Sequence, residues 1–125
     1  MRGRILVPLA LLGSCAAPPP DMPQREPPEL VGRVAGPPQR CLLIDQSSGL
    51  RVSDANRHIL LSGSGKRIWS NDLGPGCGFG QNDILVTQPL GTQNCRGDLV
   101  RSIDRYTRIP GPTCALSDFV PHSRP

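Results

Sequence analysis

From residue 41 onward, apolar residues come in runs of strand length, broken by glycine, proline and Asn/Asp/Ser clusters. Cys41-Leu42-Leu43-Ile44 stops at Gln46-Ser47-Ser48-Gly49, and Leu50 to Ser53 stops at Asp54-Ala55-Asn56. His58 to Ser62 and Lys66 to Asn71 flank Gly63-Ser64-Gly65. Two such runs around a short glycine loop predict a hairpin. In the register of that loop, Ile59 faces Trp69 and Leu60 faces Ile68. Asp83 to Gln88 predicts a strand ended by Pro89. Leu99 to Tyr106 fits both periods, since Leu99, Val100, Ile103 and Tyr106 also make a helical face. Its neighbours are strands and Gly97 opens it, so strand is preferred. Phe119-Val120 predicts a last, short edge strand. Short strands and frequent turns predict an all-β fold, a small antiparallel barrel or sandwich over residues 41–121.

The first forty residues follow another pattern. Met1-Arg2-Gly3-Arg4 is basic, Ile5 to Leu12 is apolar apart from Pro8, and the small residues Gly13 and Ser14 precede Cys15. That order predicts a secretory signal. The apolar run is far shorter than the roughly 20 residues that span a bilayer. Leu12-Gly13-Ser14-Cys15 resembles the lipobox of bacterial lipoproteins. The resemblance implies cleavage before Cys15 and acylation of its sulfur and amino group. Three acyl chains, each methylene contributing about 0.8 kcal/mol, anchor firmly to a membrane. Ala16 rather than aspartate after Cys15 implies the periplasmic face of the outer membrane. The competing expectation is an ordinary signal peptide cut near Ala16 or Ala17, leaving a soluble protein. Residues 16–40 carry eight prolines, from Pro18 to Pro38, and predict a disordered, extended tether that holds a domain away from the membrane. The expected organisation is a signal at 1–14, anchor and tether at 15–40, a β domain at 41–121 and a tail at 122–125.

Cysteine count sharpens the compartment. The five are Cys15, Cys41, Cys77, Cys95 and Cys114. Assigning Cys15 to lipid leaves four, enough for two disulfides in an oxidising periplasm. A domain of roughly eighty residues is marginal without such staples. Four cysteines allow three pairings. Cys41–Cys114, tying the ends, with Cys77–Cys95, bracketing the strand at 83–88, is the preferred one. No two of these cysteines are close enough in sequence for a common zinc site or a thiol-exchange motif.

Charge excludes one class of partner. The chain carries 14 basic and 10 acidic residues, and two of the basic ones, Arg2 and Arg4, lie in the signal. The remainder is only weakly basic, and no nucleic acid partner is expected. Arg96, Arg101, Arg105 and Arg108 gather positive charge near one element, a solvated face by default or a contact for anionic headgroups or glycan. The few aromatic residues argue against a sugar- or base-stacking platform.

Catalytic motifs are not found. His58 reads as a surface or packed residue, His122 lies in the expected tail, and Ser62, Ser64 and Ser70 lack a nucleophile elbow. Gly74-Pro75-Gly76-Cys77-Gly78-Phe79-Gly80 lacks the Lys-Ser/Thr of a phosphate loop and reads as a tight disulfide-bearing turn. Asp54 and Asp98 stand in turn-like settings, where carboxylates cap backbone amides.

The order of these pieces resembles a proteobacterial family of small four-cysteine secreted proteins and lipoproteins with a domain of unknown function. The matching features are Cys41 with its apolar run, Val52-Ser53-Asp54, Ile68-Trp69-Ser70-Asn71-Asp72-Leu73, Gly76-Cys77-Gly78, Cys95-Arg96-Gly97-Asp98-Leu99-Val100 and Cys114-Ala115-Leu116-Ser117-Asp118-Phe119-Val120-Pro121. Trp69 stands where the family more often has tyrosine, and Ser117 where it has glycine. The resemblance implies a fold and a compartment but no activity. The expected function is a non-catalytic, lipid-anchored periplasmic protein that needs no cofactor and binds an envelope protein or glycan. The alternatives are an inhibitor of a lysozyme-type enzyme, plugging a cleft with residues 71–82, and a small carboxylate-dependent hydrolase.

Overall fold

The computed structural model describes Gly3, Gly13, residues 25–47 and residues 49–125. Among these residues lie ten strands, all paired antiparallel, in three sheets. The fold is all-β, as the pattern of short runs predicts. Its strands divide among three separate sheets.

The largest sheet has five strands. β1 (Val34–Ala35) lies at one edge and β3 (Arg51–Val52) at the other. Between them run β4 (Ile59–Ser62), β5 (Arg67–Asp72) and β10 (Phe119–Ser123), in the order β1-β10-β5-β4-β3. A two-stranded ribbon pairs β2 (Cys41–Leu43) with β7 (Gln93–Cys95), and one helical turn, α1 (Ile44–Ser47), follows β2. The third sheet sets β8 (Leu99–Ile103) between β6 (Ile84–Thr87) and β9 (Pro110–Ala115).

All three sheets contribute to one core. Val52, Leu60, Trp69 and Phe119 from the five-stranded sheet meet Leu42, Val100, Leu116, Cys77 and Phe79. Asn71 is fully buried, and both ends of its side-chain amide are hydrogen-bonded. Its Nδ2 donates to the Ser117 carbonyl at 2.8 Å, and its Oδ1 accepts from the Ser117 N–H at 2.9 Å. That pins the chain entering β10.

The β4–β5 hairpin forms, but in another register. Leu60 pairs with Asn71, and Ser62 with Trp69. Ile59 therefore does not face Trp69, and Leu60 does not face Ile68. The connection is longer than the three-residue loop expected: Gly63 to Lys66 form the turn, and Arg67 and Ile68 pair with Ser123 and His122 of β10. The offset is an odd number of residues, so it changes which apolar residues share a face. Trp69 joins Leu60 toward the core, while Leu61 and Ile68 take the opposite face. Gly63 closes the turn at φ 87°, and a Cβ there would stand 3.0 Å from the Arg67 carbonyl oxygen.

The folded unit is also larger than 41–121. Residues 16–24 of the expected tether lie outside the described residues, but residues 25–40 belong to the fold. Pro27 is fully buried, and Pro28 starts a 3-10 helix, Pro28–Leu30, that packs Leu30 against Leu61 and Ile68. Beyond it β1 pairs with β10, and Gln39 bridges Phe119. Proline suits the first position of a helix because its missing N–H is unneeded there. The expected tail at 122–125 is likewise absorbed: His122 and Ser123 complete β10, and the Arg124 N–H donates to the Lys66 carbonyl. β10 is thus an internal strand, not the edge expected at Phe119-Val120.

Candidate functional site

Four cysteines form two disulfides, Cys41–Cys95 and Cys77–Cys114. The preferred pairing, Cys41–Cys114 with Cys77–Cys95, is not the one formed. Sheet register is the reason: antiparallel β2 and β7 place Cys41 directly opposite Cys95. Cys77, buried in the loop after β5, then meets Cys114 on β9. The two bridges interleave along the chain: the first ties the two strands of the ribbon to each other, and the second ties the loop after β5 to the three-stranded sheet. Each contributes typically about 2–4 kcal/mol. Cys15, the expected lipidation site, lies outside the described residues.

The polar residues singled out by sequence mostly serve the backbone. Asp45, Asp72, Asp83, Asp98 and Asp104 each accept a hydrogen bond from a backbone N–H one to three residues away. Asp118 stands 3.4 Å from Arg96. His58 is packed, with Nδ1 2.9 Å from Asp72 Oδ1. An acidic acceptor requires Nδ1 to carry the proton.

The structure joins one pair that sequence separated. Ser70 Oγ and His122 Nε2 hydrogen-bond at 2.8 Å across β5 and β10. Burial lowers the His122 pKa, and Arg33 lowers it further against the opposing charge of Glu26. A neutral histidine beside a serine hydroxyl is half of a nucleophilic site. The other half needs free N–H donors aimed at a developing oxyanion. Ser70 lies mid-strand between two partners, Leu61 and Val120, and the N–H groups around it belong to those ladders.

The feature that stands out chemically is the outer face of the three-stranded sheet. Val100 and Ser102 point inward and are fully buried. Leu99 and Arg101 alternate with them and point out, beside Val86 on β6 and Thr113 and Ala115 on β9. Leu99 is 49 % exposed. At one end of the sheet the loop 88–92 raises Leu90, 98 % exposed, and Leu90 and Leu99 line one shallow pocket of about 300 Å³. Next to it a cleft of about 530 Å³ has Arg40 and Arg96 on its walls. At the other end the turn 104–109 displays Arg105, Tyr106, Arg108 and Ile109.

That turn is built rigidly. Asp104 Oδ1 accepts from the N–H groups of Tyr106 and Thr107, both at 2.9 Å. These bonds, Thr107 first, lower the Asp104 pKa. The carboxylate is spent on its own turn, and the arginines are left as the outward charge. The sequence showed the arginine cluster but not that aliphatic residues share its face. Alternation along β8 was the available signal, obscured because Leu99 to Tyr106 also reads as a helix.

Among the described residues no three His, Cys, Asp or Glu side chains gather as a metal site. None of the helices described is long and apolar enough to cross a membrane. Comparison with protein-family models, curated proteins and solved structures found no match.

Proposed function

We propose that this protein is a non-catalytic, lipid-anchored binding module of the bacterial periplasm. It docks an acidic, partly apolar surface of another envelope protein on the outer face of its three-stranded sheet. The observation that carries this reading is the run of uncovered aliphatic residues, Leu90, Leu99 and Val86, around Arg101. Contiguous exposed apolar surface with a charged rim is the usual make-up of a docking site. The apolar residues are interleaved with the charge of Arg101 and flanked by Arg96, Arg105 and Arg108, which suits an acidic protein surface. A second copy related by a two-fold axis would set Arg101, Arg105 and Arg108 against their own kind, so the charge favours a different, acidic partner. Export and anchoring rest on the basic, apolar and small-residue order ending at Cys15.

Two measurements test the proposal. The intact mass of membrane-extracted protein should show a chain beginning at Cys15 with a lipid-sized increment. A lipid-free chain removes the anchor. A photo-crosslinker at Leu99 in intact cells should give one discrete adduct that Arg101→Glu abolishes. A crosslinker at exposed Gln81 should not give it. Adducts equal at both sites, or none, refute the docking face.

A second reading, inhibition of a lysozyme-type enzyme, draws on Leu90. The expected plug, residues 71–82, is tied down by the Cys77–Cys114 bridge and by buried Phe79. Leu90 offers a more prominent tip. Protection of cells in a lysis assay, lost with Leu90→Asp, is its test.

A further inference from the structure

The three-stranded sheet ends on one side at β6, which pairs with β8 alone. An unpaired edge recruits other strands unless it is very short, charged or interrupted by proline. Among the described residues, β1 and β3 are two residues long, each strand of the ribbon has three, and β9 carries Pro110 and Pro112. β6 is Ile84-Leu85-Val86-Thr87, a longer edge with no proline and no charge.

Hydrogen-bond parity shows which groups of β6 are unused. The Gln88 N–H donates to the Leu99 carbonyl at 3.3 Å, and these two residues stand opposite each other in the β6–β8 register. Bonded and non-bonded pairs alternate along an antiparallel ladder. Ile84 and Val86 therefore bond to β8, and the N–H and C=O of Leu85 and Thr87 point away from it. The far side of β8 agrees with this phase, since the Leu116 N–H donates to the Asp98 carbonyl and so directs the Val100 backbone toward β9. No hydrogen bond outside the ladders takes up the Leu85 or Thr87 backbone groups among the described residues.

These groups are reachable. Leu85 and Thr87 are both partly exposed, and both line a cleft of about 320 Å³ that runs between this edge and the wall made by Ile44 and Leu50. Leu50 and Leu85 pack partly against the core, so the inner side of the cleft is apolar. The rim also carries two charges of opposite sign, Asp83 and Arg105. Asp83 immediately precedes β6, and Arg105 Nε donates to the Asn82 carbonyl, so both stand at that end and leave 84–87 uncharged.

We infer that the β6 edge accepts an extended segment of another protein as a fourth strand, paired through the backbone groups of Leu85 and Thr87. Pairing over about four residues spans roughly 13 Å. Over that stretch the segment lacks proline, places an apolar residue on the Leu50–Leu85 side, and is polar where it passes Asp83 and Arg105. The chain's own residues 16–24 do not suit the edge, because Pro18, Pro19, Pro20 and Pro23 have no N–H to donate. A second copy would bring its own cleft wall to the same edge, whereas one extended segment needs only a strand's width of about 4.8 Å. Strand addition of this kind draws affinity from the main chain and specificity from alternate side chains. The inference rests on backbone groups and needs neither the docking face nor the anchor.

The test is selection of random linear peptides, displayed on phage, against the oxidised chain. Enriched peptides should alternate apolar and polar residues without proline. One of them, synthesised, should slow amide hydrogen exchange at Leu85 and Thr87. Thr87→Pro removes only an outward N–H, a change that edge strands tolerate. It should weaken that peptide by about tenfold or more, at least the value of one hydrogen bond, with the remaining amide spectrum kept. Thr87→Val retains the N–H and should bind as the native chain does. Arg101→Glu, which disables the docking face, should also leave the peptide bound. Should Thr87→Pro fail to fold, protection of the two amides in the native chain decides alone. No enrichment, no protection at Leu85 and Thr87, or equal affinity for a folded Thr87→Pro overturns the site. Dimerisation of the chain by itself, abolished by Thr87→Pro, overturns the choice of a foreign strand.

Discussion

The five-stranded and three-stranded sheets use the same alternation of side chains but finish it differently. Both turn one face to the shared core, through Leu60 and Phe119 in one and Val100 in the other. On its second face the five-stranded sheet is covered, because Leu30 packs on Leu61 and Ile68. The three-stranded sheet leaves Leu99, Val86 and Arg101 in solvent. Its cover is not supplied by the described residues. Burying an aliphatic side chain is favourable by about 1.5–3 kcal/mol, so a bare aliphatic face invites a partner where a covered one only needs its cover kept.

Removing the cover should have the largest effect. Leu30→Ala should lower stability by about 2–5 kcal/mol, the range for a buried leucine. The midpoint of urea unfolding measures it. A cost no greater than that of Leu99→Ala would mean the N-terminal segment is not a cover at all.

Next in size is a contact inside the three-stranded sheet. Gly111 lies so close to Ser102 that an added Cβ would collide with the Ser102 hydroxyl. Gly111→Ala should cost about 1–3 kcal/mol, as overpacking does. Adding Ser102→Ala should recover most of it, because the buried Ser102 hydroxyl has no partner among the described residues and its loss removes no bond to them. No recovery in the double variant would place the cost elsewhere.

A smaller change of opposite sign is expected at the rigid turn. Arg108 holds φ 60°, a left-handed conformation that favours glycine. Arg108→Gly should stabilise the fold by up to about 1 kcal/mol and should weaken crosslinking from Leu99 if the arginine meets an acidic partner. Stabilisation without weakened capture would remove Arg108 from the docking face.

Acid should loosen the covered sheet before the bare one. Burial depresses the His122 pKa, so the unfolded chain binds a proton first as pH falls. The stabilisation is complete above the ordinary histidine range and is lost as pH falls from there through the folded value. Asp104 follows the same sign at lower pH, below the ordinary carboxylate range. His122→Gln should flatten the first step in an unfolding series from pH 7 to 5. An unchanged slope would mean that the environment of His122 is not what moves its proton. The smallest effect on stability belongs to Leu99→Lys, within about 0.5 kcal/mol. The same substitution should abolish the adduct from a crosslinker at Val86. A large loss of stability would show that Leu99 serves the fold instead.

Much of the fold can be read from short apolar runs. The strands at 41–43, 59–62, 67–72, 84–87 and 99–103 lie within or beside segments marked by apolar residues and turn signals. Three strands escape such reading. β1 has only Val34 and Ala35, β7 is the polar Gln93-Asn94-Cys95, and β9 begins Pro110-Gly111-Pro112. β9 is tolerated because it lies at a sheet edge, where proline need not donate to a neighbour. The proposed docking face is less legible still, since it depends on which residues alternate strands leave uncovered.

By itself the sequence determined the all-β class, the number of cysteines available for two bridges, and the turns that cut the chain into short strands. These are local properties, set by side-chain period, backbone restriction and cysteine count. Tertiary structure alone decided the pairing of Cys41 with Cys95, the meeting of Ser70 with His122, and the use of a proline-rich segment as a sheet cover. Each depends on register between residues far apart in the chain. An odd shift in register exchanges the faces of a strand, and no local pattern records which register the assembled sheets select.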